Sequence, residues 1–234
     1  MGFNRRIMES TKFPKEEEYL NHLILHSHDI PSAIGLLNGG TGIALVLMHY
    51  SRVRKCRYIE KSVDFLIENI LKRISKTTKT EFASGLSGIG WGIEYLIQNK
   101  YMKGCGADIL LDIDKQIMNI DFSRCENYNL FDGLKGYLHY AIAHLQGANI
   151  AKKKVFDFAF VQSLVFATEK AIKANTKDSE LETLYANLLE CIAGKTEVYI
   201  MELERFINKN AINNRKDLTL YSGIAGWIEL KLNK

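Results

Sequence analysis

Four times along this 234-residue chain the pattern Gly-x-x-Gly recurs, at Gly39/Gly42, Gly85/Gly88, Gly133/Gly136 and Gly223/Gly226. The separations of 46, 48 and 90 residues keep one period, the last being twice 45. A fixed period of that length marks a repeat architecture, in which each unit is one supersecondary element that cannot bury its own apolar face alone. Two prolines beside 47% hydrophobic residues favour long helices over strands, because proline is costly inside a helix and strands need more turn punctuation. The expected fold class is all-α, with residues 1–234 forming a single domain.

Two kinds of helix alternate. Tyr58 to Ser75 places Ile59, Val63, Leu66, Ile70 and Ile74 on one stripe and its charges elsewhere, the signature of a solvent-facing outer helix. Ala107 to Asn119, Lys152 to Lys173 and Glu197 to Lys209 repeat that pattern. Between Thr41 and Tyr50, by contrast, apolar residues point in nearly every direction, with His49 the main exception. A helix apolar all round is buried all round.

Inner helices are thus expected near 39–51, 85–98, 132–146, 179–194 and 222–232, each paired with an outer helix. About five such pairs make an α/α toroid or an open solenoid. The fourth unit is degenerate, its glycine positions falling near Asp178 and Leu181. Glycines three apart share a helix face and are expected to let neighbouring backbones approach. Gly104, Gly106, Ser123 to Asn129 and Asn208 to Asn214 read as linkers.

Several function classes drop out. The formal charge of +4 comes from 31 basic and 27 acidic residues spread evenly, which is not a nucleic-acid footprint. The uncharged run Ile30 to Ser51 is crowded with Gly, Pro and Asn in its first half, so no membrane span is expected. Cys56, Cys105, Cys125 and Cys191 form neither a C-x-x-C pair nor a disulfide framework. A reducing cytoplasm suits them, and no signal-peptide apolar region opens the chain.

The run Ser84-Gly-Leu-Ser-Gly-Ile-Gly-Trp-Gly-Ile-Glu-Tyr-Leu96, with Leu130-Phe-Asp-Gly-Leu-Lys-Gly136 and Leu220-Tyr-Ser-Gly-Ile-Ala-Gly226, resembles the inner-helix motifs of the lanthionine synthetase C-like family. The resemblance implies an α/α toroid. It also implies peptide modification, since lanthionine-forming members are zinc enzymes that add a cysteine thiol to a dehydrated serine or threonine. Zinc lowers the thiol pKa so that a thiolate attacks at neutral pH. The family's ligands are a Cys in one late repeat and a Cys-His pair directly before the first glycine of the next. Here that pair is replaced by Tyr221 and Ser222, while Cys191 lies 31 residues before Ser222, well down its helix. A histidine of an earlier repeat assists proton transfer in the family, yet Asn38, Ser84, Asp132 and Ser222 hold the pre-glycine positions here.

Those four residues are of types that cap helix N-termini. As a functional alternative, several helix starts converge on one rim, where Asp132 can act as an acid or base. Glu94 and Gln98 share a face of the second inner helix near Trp91, and Glu94 must meet water, a partner or a cavity. His139 and His144 of the third inner helix read as hydrogen-bonded core residues. His22 and His26, four apart, with His28 nearby, are a solvated cluster or a partial metal site.

The expected function is the binding of a ribosomally made peptide or a partner modifying enzyme, without zinc chemistry and with no cofactor. The expected contacts are Asp132, Ser222, Tyr221, Glu94 and Trp91. One alternative is a zinc cyclase with rearranged ligands drawn from Cys191, Cys125 or the His22 and His26 cluster. Another is a structural repeat protein, a shortened toroid or one half of a dimer, whose last inner helix leaves an apolar flank for a second copy.

Overall fold

The computed structural model describes residues 14–27, 33–175, 177–212 and 216–232, and among them every regular element is helical. In chain order the helices are α1 (Pro14–His26), α2 (Gly40–Arg54), α3 (Tyr58–Arg73), α4 (Leu86–Gln98), α5 (Gly106–Ile109), α6 (Leu111–Ile117), α7 (Leu134–Ala151), α8 (Phe158–Ala174), α9 (Ser179–Ile192) and α10 (Ile224–Leu232). No helix among the described residues is long and apolar enough to cross a membrane. The glycine-started helices α2, α4, α7 and α10 are the inner ones. From Gly40 to Ser51 every residue of α2 is buried except His49. Helix α3 buries only Ile59, Val63, Leu66, Ile67 and Ile70 and packs on α2. Each fully buried Leu or Ile of such a stripe contributes about 1.5–3 kcal/mol.

The inner helices lie side by side in the order α10, α2, α4, α7, with α9 packed on the far side of α7. Their entry loops are stitched in the same order. The Tyr221 amide donates to the Leu37 carbonyl, Leu37 to Ala83, and Ala83 to Phe131, at 2.8–3.1 Å. The ring of Phe131 then meets the ring of Tyr221 edge-on at 4.9 Å, closing the four loops into a circle.

The Gly-x-x-Gly motif has a different cause from the expected one. At each start, the first helical amide donates to the carbonyl seven residues earlier: Gly40 to Ala33, Leu86 to Lys79, Leu134 to Asn127 and Ile224 to Asp217, at 2.8–3.0 Å. A Cβ at Gly85 would sit 2.2 Å from the Lys79 carbonyl oxygen, and one at Gly88 would sit 1.9 Å from that of Phe82. The close approach is therefore made by the helix's own entry loop. Neighbouring units add a second contact, for Leu36 faces Gly88, Phe82 faces Gly136 and Leu220 faces Gly42.

The capping expectation is corrected in the same way. The N-cap residues of α2, α4 and α7 are Gly39, Gly85 and Gly133, without side-chain caps. A loop carbonyl does the work expected of Asn38, Ser84 and Asp132. Only α9, which lacks the motif, carries such a cap among the inner-helix positions: Asp178 accepts from the Leu181 amide at 3.2 Å. Helix α9 also buries one face alone, with Leu189 and Ile192 exposed.

Two outer helices differ from expectation. Residues 107–119 break at Leu110 into the short α5 and α6. Residues 197–209 form no α-helix, only a 3-10 turn at Leu203–Phe206, and the segment runs inward. The outer partner of α10 is instead α1, whose Tyr19 packs edge-on against Trp227 at 4.9 Å. Flanked by α1 and α2, α10 does not leave the bare flank that the sequence implied.

Candidate functional site

The helix starts gather the pre-glycine side chains on one end of the molecule. Asn38 Nδ2 donates to Ser84 Oγ at 3.4 Å. Ser222 Oγ donates to Asp217 at 2.7 Å. Asp132 is exposed, accepts from Asn127 Nδ2 at 2.9 Å, and donates its amide to Asn129. The Asn127 and Asn129 side chains hold its carboxyl below the usual carboxylate range, so it is an anion near neutrality and a poor general acid. Tyr221 is half-buried, its hydroxyl accepting from Asn208 at 3.1 Å. Asp132, Ser222 and Tyr221 thus belong to one surface.

Trp91 and Glu94 do not join that surface. Both are fully buried, in two different polar networks that cross the interior. In the first, Trp91 Nε1 donates to the Tyr199 hydroxyl at 3.2 Å, and that hydroxyl bonds His139 Nδ1 at 2.6 Å. His139 Nε2 has no hydrogen-bond partner and faces Glu180 Oε1 at 3.5 Å. Burial pushes the His139 pKa down, so the ring is neutral. Glu180, facing His139 and paired with Lys135 at 2.8 Å, is drawn down to about 2. Phe206 packs against Phe82, Trp91 and His139 and fills the space between them.

In the second network, His144 lies between two carboxylates, with Nδ1 2.7 Å from Glu94 and Nε2 2.9 Å from Asp114. Tyr140 donates to Asp114, and Gln98 to Glu94 at 2.7 Å. Burial pulls the His144 pKa down, but bonds to Asp114 and Glu94 outweigh it and raise it to about 9. The imidazolium braces α4, α6 and α7. Glycine at 106 and 147 leaves room for the Glu94 carboxylate, since a Cβ would fall 1.8 and 2.3 Å from its oxygens.

The side chains here do not suit a zinc ion. Tyr221 and Ser222 offer a phenol and a hydroxyl rather than a thiolate and an imidazole. Cys191 is buried at the far end of α9 beside Ile142, and burial pushes its thiol up to about 11. The Cys125 thiol is likewise raised by burial. His22 and His26 lie with their rings 4.5 Å apart on α1, while His28 falls outside the described residues. Glu94, Asp114 and His144 do meet, but both ring nitrogens are already bonded. Among the described residues no three His, Cys, Asp or Glu side chains are arranged to hold a metal.

Sequence reasoning missed Tyr199, Gln146, Asp114 and Tyr140. Gln146 Oε1 accepts from the amides of Val198 and Tyr199 at 2.9 and 2.8 Å, and its Nε2 donates to the Tyr199 carbonyl at 3.0 Å. The available signal was an amide in a buried stretch of α7, which must find partners.

No curated protein matches the chain. The family model for lanthionine synthetase C-like protein matches residues 31–159, more than half of the 234, and spans the first three Gly-x-x-Gly units. Tyr221 and Ser222 lie beyond that match. On the match and the repeated inner helices together, the chain belongs to the lanthionine synthetase C-like family.

Proposed function

We propose that this chain serves peptide modification by holding a ribosomally made peptide, or the enzyme that modifies it, rather than by zinc-dependent thioether formation. Family membership points to peptide modification. The observation that carries the narrower reading is the pair Tyr221 and Ser222: at the position of the family's Cys-His ligands, both side chains are committed to loop hydrogen bonds with Asn208 and Asp217. Around them Asn38, Ser84 and Asp132 present donors and an anion to solvent. The grip of Gln146 on both main-chain groups of Tyr199 is in keeping with this reading, as an inner helix here holds a non-helical stretch of chain by its backbone.

Candidate precursor peptides titrated against wild type and Asp132→Ala test this. Weaker binding by the variant is the expected result, and equal affinity removes Asp132 from the surface. Zinc in untagged purified protein is the second measurement. About one tightly held zinc per chain overturns the reading in favour of a cyclase with unconventional ligands.

A further inference from the structure

One hydroxyl on the inward-running segment decides how protons are shared in the first buried network. Trp91 Nε1 can only donate, and it donates to the Tyr199 oxygen at 3.2 Å. The Tyr199 proton needs an acceptor of its own, and among the described residues His139 Nδ1, at 2.6 Å, is the one that meets it. His139 therefore carries its proton on Nε2. That nitrogen is fully buried, has no hydrogen-bond partner and stands 3.5 Å from the Glu180 carboxylate.

Adding a proton to His139 turns Nδ1 from an acceptor into a donor. Trp91 and His139 then both aim N–H groups at the Tyr199 oxygen, and the Tyr199 O–H becomes a buried donor with nothing to receive it. The surrounding charges push the same way. Lys135, one turn earlier on α7, already pairs with Asp178 and Glu180 at the start of α9, at 2.8 Å each. Arg205, on the segment itself, lies 5.6 Å from the Tyr199 ring. These two cations and two carboxylates balance, so an imidazolium at 139 is a buried charge in excess. Glu180 attracts it from α9, while Arg205 repels it from the segment. Trp91, Phe82 and Phe206 complete the surroundings without charge.

We propose that His139 and Tyr199 form a proton-operated latch: neutral His139 holds residues 197–206 against α4 and α7, and protonated His139 pairs with Glu180 and lets them go. Release empties the space that Phe206 fills beside Phe82 and Trp91. The segment is thus an occupant of the protein's own interior, seated near neutrality and withdrawn in acid. The proposal goes beyond peptide holding and stands without it.

Hydrogen exchange on the full chain, corrected for its intrinsic pH dependence, tests the latch between about pH 7 and pH 5. Protection of residues 198–206 should fall about tenfold more than that of α2 and α4. Tyr199→Phe removes the hydroxyl, and should show the lowered protection already near neutrality and lose the acid response. His49 also lies beside this segment, lining a cleft with residues 201–204, and His49→Gln should keep the response. Imidazole nitrogen shifts read the tautomer in the unaltered chain, where the Nε2–H form of His139 is expected near neutrality. An Nδ1–H tautomer, protection that ignores pH, or a fall shared equally with α2 and α4 overturns the proposal. So does an acid response that survives in Tyr199→Phe or disappears in His49→Gln.

Discussion

The two ends of the inner helices are held by different chemistry. At the start end, backbone meets backbone: carbonyls close each first turn, loops donate to loops, and glycines let them touch. Toward the finish end, side-chain charges do the joining, through Glu94, His144 and Asp114 and through His49 and Glu229. Backbone groups do not titrate, whereas buried imidazoles and carboxylates do. The glycine-and-carbonyl joints of the start end should therefore be intolerant of added atoms and indifferent to pH, and the charged joints of the finish end sensitive to pH.

The largest expected effect probes the glycines. Gly88→Ala drives a Cβ to within 1.9 Å of the Phe82 carbonyl oxygen and 2.9 Å of the Leu36 Cβ, and should cost more than about 4 kcal/mol in urea unfolding. Gly40→Ala is the control, meeting the flexible side-chain ends of Ile70 at 3.3 Å and Leu66 at 3.7 Å, and should stay within about 0.5 kcal/mol of wild type. If both are tolerated alike, the entry-loop account of the motif is wrong.

Changing pH sharpens the other half of the comparison. The folded pKa of His144, about 9, stands above its unfolded value. Its contribution of about 3 kcal/mol is complete below roughly pH 6.5 and is lost as pH rises through 9. His139, lowered by burial, has the opposite sign and weakens the fold as pH falls below its unfolded value. Urea midpoints should fall on both sides of neutrality, and His144→Gln should flatten the alkaline limb. An unchanged alkaline limb in that variant would show that the brace is not charged.

A smaller effect is expected at Gln146. Gln146→Leu removes three hydrogen bonds to residues 198 and 199 and should cost about 2 kcal/mol, with faster hydrogen exchange confined to that segment. The smallest contrast pairs two aspartates. Asp178→Ala removes the cap of α9 and should cost about 1 kcal/mol, while Asp132→Ala should leave the unfolding midpoint unchanged because a loop carbonyl already closes α7.

The period of the glycines made the inner helices legible to within a few residues, because an invariant-looking spacing reports a repeated backbone geometry. What approaches those glycines was not legible. A missing Cβ does not say whether a neighbouring helix or a loop occupies its place. The 197–209 segment misled for a related reason: Tyr199, Leu203 and Phe206 do keep helical spacing, and one turn forms there. The Gln146 amide engages the backbone groups that a helix would have used. Glu94 was singled out as a residue that must meet water, a partner or a cavity, but its partner His144 lies in another unit, as does Tyr199, the partner of Trp91. His49 stood out in an otherwise apolar helix. Its partner, Glu229, is 180 residues away.

That last separation has a consequence for how the protein is made. The flank of α2 that receives α10 and the entry-loop carbonyl of Leu37 that receives Tyr221 are synthesised early and satisfied late. At a translation rate of 5–20 residues per second, the 180 residues between His49 and Glu229 take roughly 10–40 s to appear. Throughout that interval a nascent chain carries an apolar helix with one side bare, a surface open to other chains until α10 arrives.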